Sequence, residues 1–287
     1  MNKFFILANN EKDPELEKTK AIAQFLELRG KKCNYLAIER ICEDEGYNRK
    51  VAKKIDDDTD LVLVLGGDGT LIQVAGILSN KDIPLLGINM GNLGFLAEVE
   101  KENIFEALDK LLNDEYEIEE RMMLAGEVTL SGMKMSHNHA LNDIIISRNG
   151  AIKVASFNIY VNQKLLYSVD ADGIVISTPT GSTAYNLSAG GPIVAPYAEC
   201  IIITPICAHS INLRPIILSK DDEVKVELCM NERNSNSSVA VSFDGGAACP
   251  LNNGDSVDVK RSYSKTRIVK LSKANFFDVL SRKMAEK

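Results

Sequence analysis

Leu61-Val62-Leu63-Val64-Leu65-Gly66-Gly67-Asp68-Gly69-Thr70 decides how the first part of this chain folds. The apolar run Leu61–Leu65 has no polar alternation, as expected of a parallel strand covered on both faces. It runs directly into a glycine cluster and then into a helical pattern over Thr70–Leu78. Glycines there allow positive φ and let backbone N–H groups approach a ligand without a Cβ in the way. A helix starting beside them adds free amides and the positive end of its dipole, favourable for phosphate oxygens. In open α/β sheets, ligands bind at the carboxyl ends of strands, which is where this turn falls. The segment lacks both GxxxxGK[ST] and GxGxxG, so it is neither a Walker loop nor a dinucleotide fingerprint. Taken alone it supports two readings: a tight structural turn with Asp68 capping the helix, or a cradle holding a nucleoside triphosphate with Asp68 beside the transferred phosphoryl group.

Working outward, Phe4–Ala8, Cys33–Ile38 and Ile83–Ile88 read as further strands, and Pro14–Leu28 as a helix stopped by Gly30. This alternation predicts an open, Rossmann-like α/β domain over residues 1–100. The character changes near Glu100. Ile104–Leu112 reads as a linking helix, and from Tyr116 to Leu271 short β-branched runs separated by turns dominate. They include Glu127–Leu130, Asp143–Ser147, Phe157–Val161, Gly173–Ser177, Ile201–Thr204, Glu223–Leu228, Val239–Phe243 and Ser256–Lys260. The predicted fold class is therefore α/β plus all-β, with a β-sandwich-like domain over 101–271. A helix over Asn275–Lys283, in the tail 272–287, returns to the first domain. Asn231–Ser238 reads as a polar hairpin tip.

Composition bounds the function. The 287 residues are 45% hydrophobic and 25% charged, the profile of a globular chain. The net charge of −7, from 33 basic and 40 acidic residues, gives no general pull toward nucleic acid or anionic membrane. No apolar stretch approaches the roughly 20 residues that span a bilayer. The apolar start Phe4–Ala8 is short for a signal peptide and reads better as a strand. Cys33, Cys42, Cys200, Cys207, Cys229 and Cys249 form no CxxC pair and read as thiols of a reducing compartment, so a cytoplasmic location is expected.

Three further segments carry candidate chemistry. Gly91-Asn92-Leu93-Gly94-Phe95-Leu96 is a second loop at the same sheet edge, with Phe95 either core or a platform for a base. Asn142 and Asp143 precede a β-branched run, where Asn142 can both donate and accept and Asp143 can accept from ribose hydroxyls. A local Asx turn is the plain alternative. The richest stretch runs from Asp172 through Thr178-Pro179-Thr180-Gly181-Ser182-Thr183-Ala184-Tyr185-Asn186-Leu187-Ser188 to Gly190-Gly191-Pro192. There a strand ends in a hydroxyl-rich turn and a short helix, and Tyr185 offers a flat ring suited to a nucleoside. His137-x-His139 and Cys207-x-His209 lack the four-ligand spacing of structural zinc, so no metal ligands are assigned.

Together these segments resemble the NAD kinase family, over Leu61 through Asp244 and with the motifs in family order. The glycine turn alone is shared with diacylglycerol kinases and phosphofructokinases, whereas Asn142-Asp143 with Thr178–Tyr185 is far more specific. The resemblance implies transfer of the ATP γ-phosphoryl group to the 2′-hydroxyl of the adenosine ribose of NAD. It implies Mg²⁺ or another divalent cation with the ATP, and a homodimer or homotetramer. By the same likeness Asp68 is the catalytic carboxylate, set among the nucleotide-binding Gly67, Gly69, Thr70 and Phe95. Asn142 and Asp143 hold the adenosine half, and Asp172 reaches a bound nucleotide. Thr183, Ala184, Tyr185, Asn186, Leu187 and Ser188 line the nucleotide pocket. The chain departs from the pattern in three places. Asp143 stands where the family often has glutamate, and Asp170 where a basic residue is common, with Arg148 or Lys153 as replacement charges. Asp244-Gly245-Gly246 matches the family's late Asp-Gly turn only in part. A dinucleotide sensor without turnover is the competing class, against which Asp68 in an intact glycine turn argues.

Overall fold

The computed structural model describes residues 1–39, 45–91, 94–149, 154–229, 238–272 and 275–285. In chain order the first elements are β1 (Lys3–Asn9), α1 (Glu17–Glu27), β2 (Lys32–Ile38), α2 (Glu45–Lys53), β3 (Leu61–Gly66), α3 (Asp68–Ile77), β4 (Leu85–Asn89), β5 (Val99–Glu100) and α4 (Ile104–Leu112). Then come β6 (Glu117–Leu130), β7 (Met133–Ala140), β8 (Asp143–Arg148), β9 (Ala155–Val161), β10 (Lys164–Ala171) and β11 (Gly173–Ser177). A 3-10 turn, Thr180–Thr183, leads into α5 (Tyr185–Ser188). The chain finishes with β12 (Cys200–Ile206), β13 (Ile216–Ser219), β14 (Val224–Cys229), β15 (Val239–Phe243), β16 (Cys249–Leu251), β17 (Ser256–Lys270) and α6 (Phe276–Ala285).

Two compact units result, Met1–Arg121 with Lys265–Lys287, and Met122–Ser264. The divide falls at Arg121 and Ser264 rather than near Glu100 and Leu271. The reason lies in α4: Ile104, Ala107, Leu108 and Leu111 form an apolar stripe that is buried in the first unit's core. Val269, near the end of β17, is buried in that core too.

The first unit is built on parallel pairs, β2 with β1, β1 with β3, and β3 with β4. Ile268 of β17 lies beside Leu85 of β4, also in parallel, and β5 continues along β4. Every residue of β3 is buried, as its unbroken apolar run requires. The turn at its carboxyl end, Gly66–Thr70, lies between β3 and α3. Helix α6 packs back on this unit through Phe276, whose ring lies 6.2 Å from that of Phe95.

The second unit is a sandwich of antiparallel strands. One sheet runs β13-β12-β11-β8-β15-β16. The other places β10, β9, β14 and the start of β17 side by side, with β6 and β7 as a hairpin. Inward residues of both sheets make one core: Ile144, Ile146, Ile174 and Ile176 from the first, Phe157, Ile159, Val226 and Val257 from the second. Burial alternates along β9 and β14, the period-2 signature of strands with one covered face. The polar segment 231–238 lies outside the described residues except for its last position, and so do Asn92, Leu93 and Lys153.

Candidate functional site

In the first unit the site is built around Asp68. Helix α3 starts at Asp68 itself, two residues earlier than the glycine spacing suggests. The first amides of a helix have no partner within it, and here they lie in the glycine turn Gly66–Gly69. The carboxylate does not serve as a cap for its own helix. It accepts three successive amides from the loop after β4: Phe95 N–H on Oδ2 at 2.6 Å, and Leu96 and Ala97 N–H on Oδ1 at 3.1 and 3.0 Å. Gly94 is needed for this approach, because a Cβ there would overlap the carboxylate. Thr70 is buried against Asn9, whose side-chain amide donates to Thr70 Oγ1 at 3.1 Å. Asp68 remains half-buried, so a fixed carboxylate stands in reach of solvent at the head of the helix. Phe95 supplies one of the three amides, and its ring lies tilted at 38° to that of Phe276 with centroids 6.2 Å apart, a structural use beside that of a base platform.

In the second unit the pinned residue is Asn142. Its N–H donates to Asp244 Oδ1 at 2.8 Å, and its carbonyl accepts Thr178 N–H at 2.8 Å and Ser177 Oγ–H at 3.2 Å. Thr178 Oγ1 also donates to Leu141 O at 2.6 Å and accepts Gly181 N–H at 3.1 Å. A Cβ on Gly181 would overlap the Asn142 backbone. The side-chain Oδ1 of Asn142 is buried without a hydrogen-bond partner. Leaving such an acceptor unpaired costs about 1–3 kcal/mol, so a ligand donor is the natural complement. Asp143, beside it, is 4% exposed. Burial and the neighbouring Asp244 charge push its carboxyl up to about 7.

The turn after β11 separates into inner and outer residues. Thr183 and Ala184 are half-buried, while Tyr185, Leu187 and Ser188 are exposed, with Tyr185 at 46%. Asn186 differs from its expected place in the pocket wall. It is fully buried, its amide donates to Ser182 O and Pro192 O, and its Oδ1 accepts Thr204 Oγ1–H at 2.6 Å. It brackets the turn from inside. Ser182 does likewise, exchanging hydrogen bonds with Val194.

Asp172 stands apart from this cluster in its bonding. Arg148 grips it in two-pronged fashion, Nε to Oδ1 at 2.7 Å and Nη2 to Oδ2 at 3.1 Å. That pairing lowers the Asp172 carboxyl below its ordinary value and answers where the Arg148 charge goes. Asp170 accepts the Ser156 hydroxyl.

A model of the ATP-NAD kinase N-terminal domain matches residues 6–116, and one of the C-terminal domain matches residues 141–271. The chain belongs to the ATP-NAD kinase family. NAD kinases of Lachnospira eligens and Lachnoclostridium phytofermentans are each 40% identical to it, over 99% and 100% of this chain and 100% of each relative. Among solved structures, yeast NADH kinase complexed with NADH superimposes with a TM-score of 0.81 at 22% identity, covering 100% of this chain and 88% of that one. An NAD kinase from Archaeoglobus fulgidus in complex with ATP gives 0.75 at 22%, covering 98% of each. These two likenesses establish the fold, an α/β unit joined to a β-sandwich.

The sequence does not mark Gly94 or Asp244 as parts of the two amide clamps. Gly94 stands in the loop Gly91–Leu96, but nothing in the sequence says which carboxylate needs the space its missing Cβ leaves. Asp244 stands in the Asp244-Gly245-Gly246 turn that resembles the family's late Asp-Gly turn in part, but its amide partners at 141–143 leave no mark in the sequence. Of the histidine pair, His139 bonds Ser262 Oγ through Nδ1 at 2.9 Å, and the His137 side chain lies outside the described residues. Among the described residues no helix is long and apolar enough to cross a membrane.

Proposed function

We propose that the chain transfers the γ-phosphoryl group of ATP to the 2′-hydroxyl of the adenosine ribose of NAD, giving NADP, with Asp68 as the catalytic carboxylate. The observation that carries this reading is the Asp68 clamp. A reachable carboxylate, fixed by three backbone amides, stands at the start of a helix whose glycine turn suits phosphate. Phosphoryl transfer needs mostly positioning and charge stabilisation, and one oriented carboxylate suffices to draw a hydroxyl into line and take its proton. Gly67 and Gly69 gather the phosphates by their amides, with Thr70 beside them, its own amide donating to Gly67 O at 3.0 Å. Asn142 Oδ1 receives a donor from the adenosine half, Asp143 meets a ribose hydroxyl, and Tyr185 covers the base with Thr183, Ala184, Leu187 and Ser188 around it. Asp172, held by Arg148, contacts a nucleotide from a homodimer or homotetramer in the cytoplasm.

Among the described residues no three His, Cys, Asp or Glu side chains converge as a metal cage. Mg²⁺ is read here as carried by the triphosphate and water, the usual habit of that ion. Bound there it would neutralise charge on the phosphates. The test is purified protein with NAD, ATP and Mg²⁺, read through an NADP-specific dehydrogenase. NADP formation that vanishes without ATP is expected. Its absence at all nucleotide concentrations would overturn the reading.

A further inference from the structure

Asp244 sits just past β15 in the left-handed region at φ 50°, followed by Gly245 at φ 70°. The turn aims its carboxylate back along the start of β8, where it accepts three consecutive amides. Leu141 N–H meets Oδ2 at 2.6 Å, and Asn142 and Asp143 N–H meet Oδ1 at 2.8 and 3.1 Å. Its own N–H donates to Asp143 O at 3.0 Å. Thr178 and Ser177 hold the Asn142 carbonyl from the other side, so no backbone polar group of Asn142 remains to adjust. Its side-chain Oδ1 is buried and unpaired.

A two-oxygen acceptor is what three converging N–H groups require, and a side-chain amide cannot replace it, since its NH₂ would face one of the donors. The arrangement has an electrostatic cost. Asp143 lies next to Asp244 in a dry setting, and burial pushes the Asp244 carboxyl up to about 6 against the opposing effect of the amides.

We propose that Asp244 is a positioning residue for dinucleotide binding, its carboxylate fixing the backbone from which Asn142 Oδ1 and Asp143 meet the ligand. This rests on the reading of Asn142 and Asp143 as NAD contacts. It predicts a split between the two substrates. In Asp244→Asn the NAD Kd, measured by calorimetry on the full chain, should rise about tenfold, while the KM for ATP stays within about twofold. Gly181→Ala pushes the same backbone from the opposite side without touching Asp244 and should give the same split. Asn142→Leu tests the underlying reading separately. If that variant binds NAD normally, the assignment of the pocket falls and the proposal with it. If Asn142→Leu binds weakly but Asp244→Asn binds NAD normally, or loses NAD and ATP equally, the positioning role alone is overturned. Should Asp244→Asn not fold, Asp244→Glu joins Gly181→Ala, and normal NAD Kd in both overturns the proposal.

Discussion

Asp68 and Asp244 use one device to two ends. Each closes a turn by taking three successive backbone amides, residues 95–97 in the first unit and 141–143 in the second. Around Asp68 the clamp leaves a half-exposed carboxylate at a helix start. Around Asp244, likewise half-buried, it sets the acid beside the buried Asp143 and leaves the Asn142 Oδ1 unpaired. The contrast teaches that an amide clamp decides only where a carboxylate stands. What surrounds the carboxylate differs: a helix start and glycine turn in the first unit, a second acid and an unpaired amide oxygen in the second.

The comparison breaks most visibly at Asp68. Asp68→Asn should lower kcat by about 10²–10⁴, as loss of a general base does, with NAD and ATP binding largely kept. Near-normal turnover in the coupled NADP assay would reduce Asp68 to a structural clamp like its counterpart. Gly94→Ala leaves Asp68 in place but forces its carboxylate aside, since the new Cβ would overlap it. Misplacement on this scale costs on the order of 10² in kcat, and an unchanged kcat would mean that the clamp is dispensable. Tyr185→Ala sharpens the second half: NAD Kd should rise about tenfold from lost stacking, with a smaller change in kcat. An unaltered Kd would remove Tyr185 from the pocket.

The smallest effect is in stability. Burial and Asp244 hold the Asp143 carboxyl at about 7 instead of 3.8, so across that interval the folded chain keeps a proton that the unfolded chain releases. The stabilisation is fully present below about pH 4 and is lost as pH rises through about 7. Melting curves should therefore show Tm falling over this window, and Asp143→Asn should flatten the fall by roughly a few degrees. An equal slope in both proteins would place the titration elsewhere.

Much of the frame was legible because burial on both faces leaves a plain mark: β3 and β11 read directly as apolar runs. Strands that bury less did not read. β7 carries Met133 and Met135 at 64% and 60% exposure among polar neighbours, and β10 is an edge strand exposed over most of its first half. β6 and β17 are far longer than their apolar segments, because charged residues continue both ladders. At the site, residue types were visible but their duties were not. Asn186 and Asn142 are the same side chain in similar company, yet one bonds inward and the other is left open. The clamps were invisible for a simpler reason. Their donors are backbone N–H groups, lying 27 to 29 residues from Asp68 and 101 to 103 from Asp244, and no side chain announces them.

The order of synthesis gives the discontinuous first unit a further consequence. Ile268 fits beside Leu85, and Glu98 receives the Lys270 ammonium and the amides of Leu271 and Ser272. All of residues 122–264 must leave the ribosome before that strand can arrive. Until then part of the β4 edge stays bare, an invitation to stray pairing that a chaperone or rapid completion must cover. A nascent fragment ending before Lys265 therefore carries Gly66–Thr70 on a sheet that still lacks the Ile268 segment beside β4.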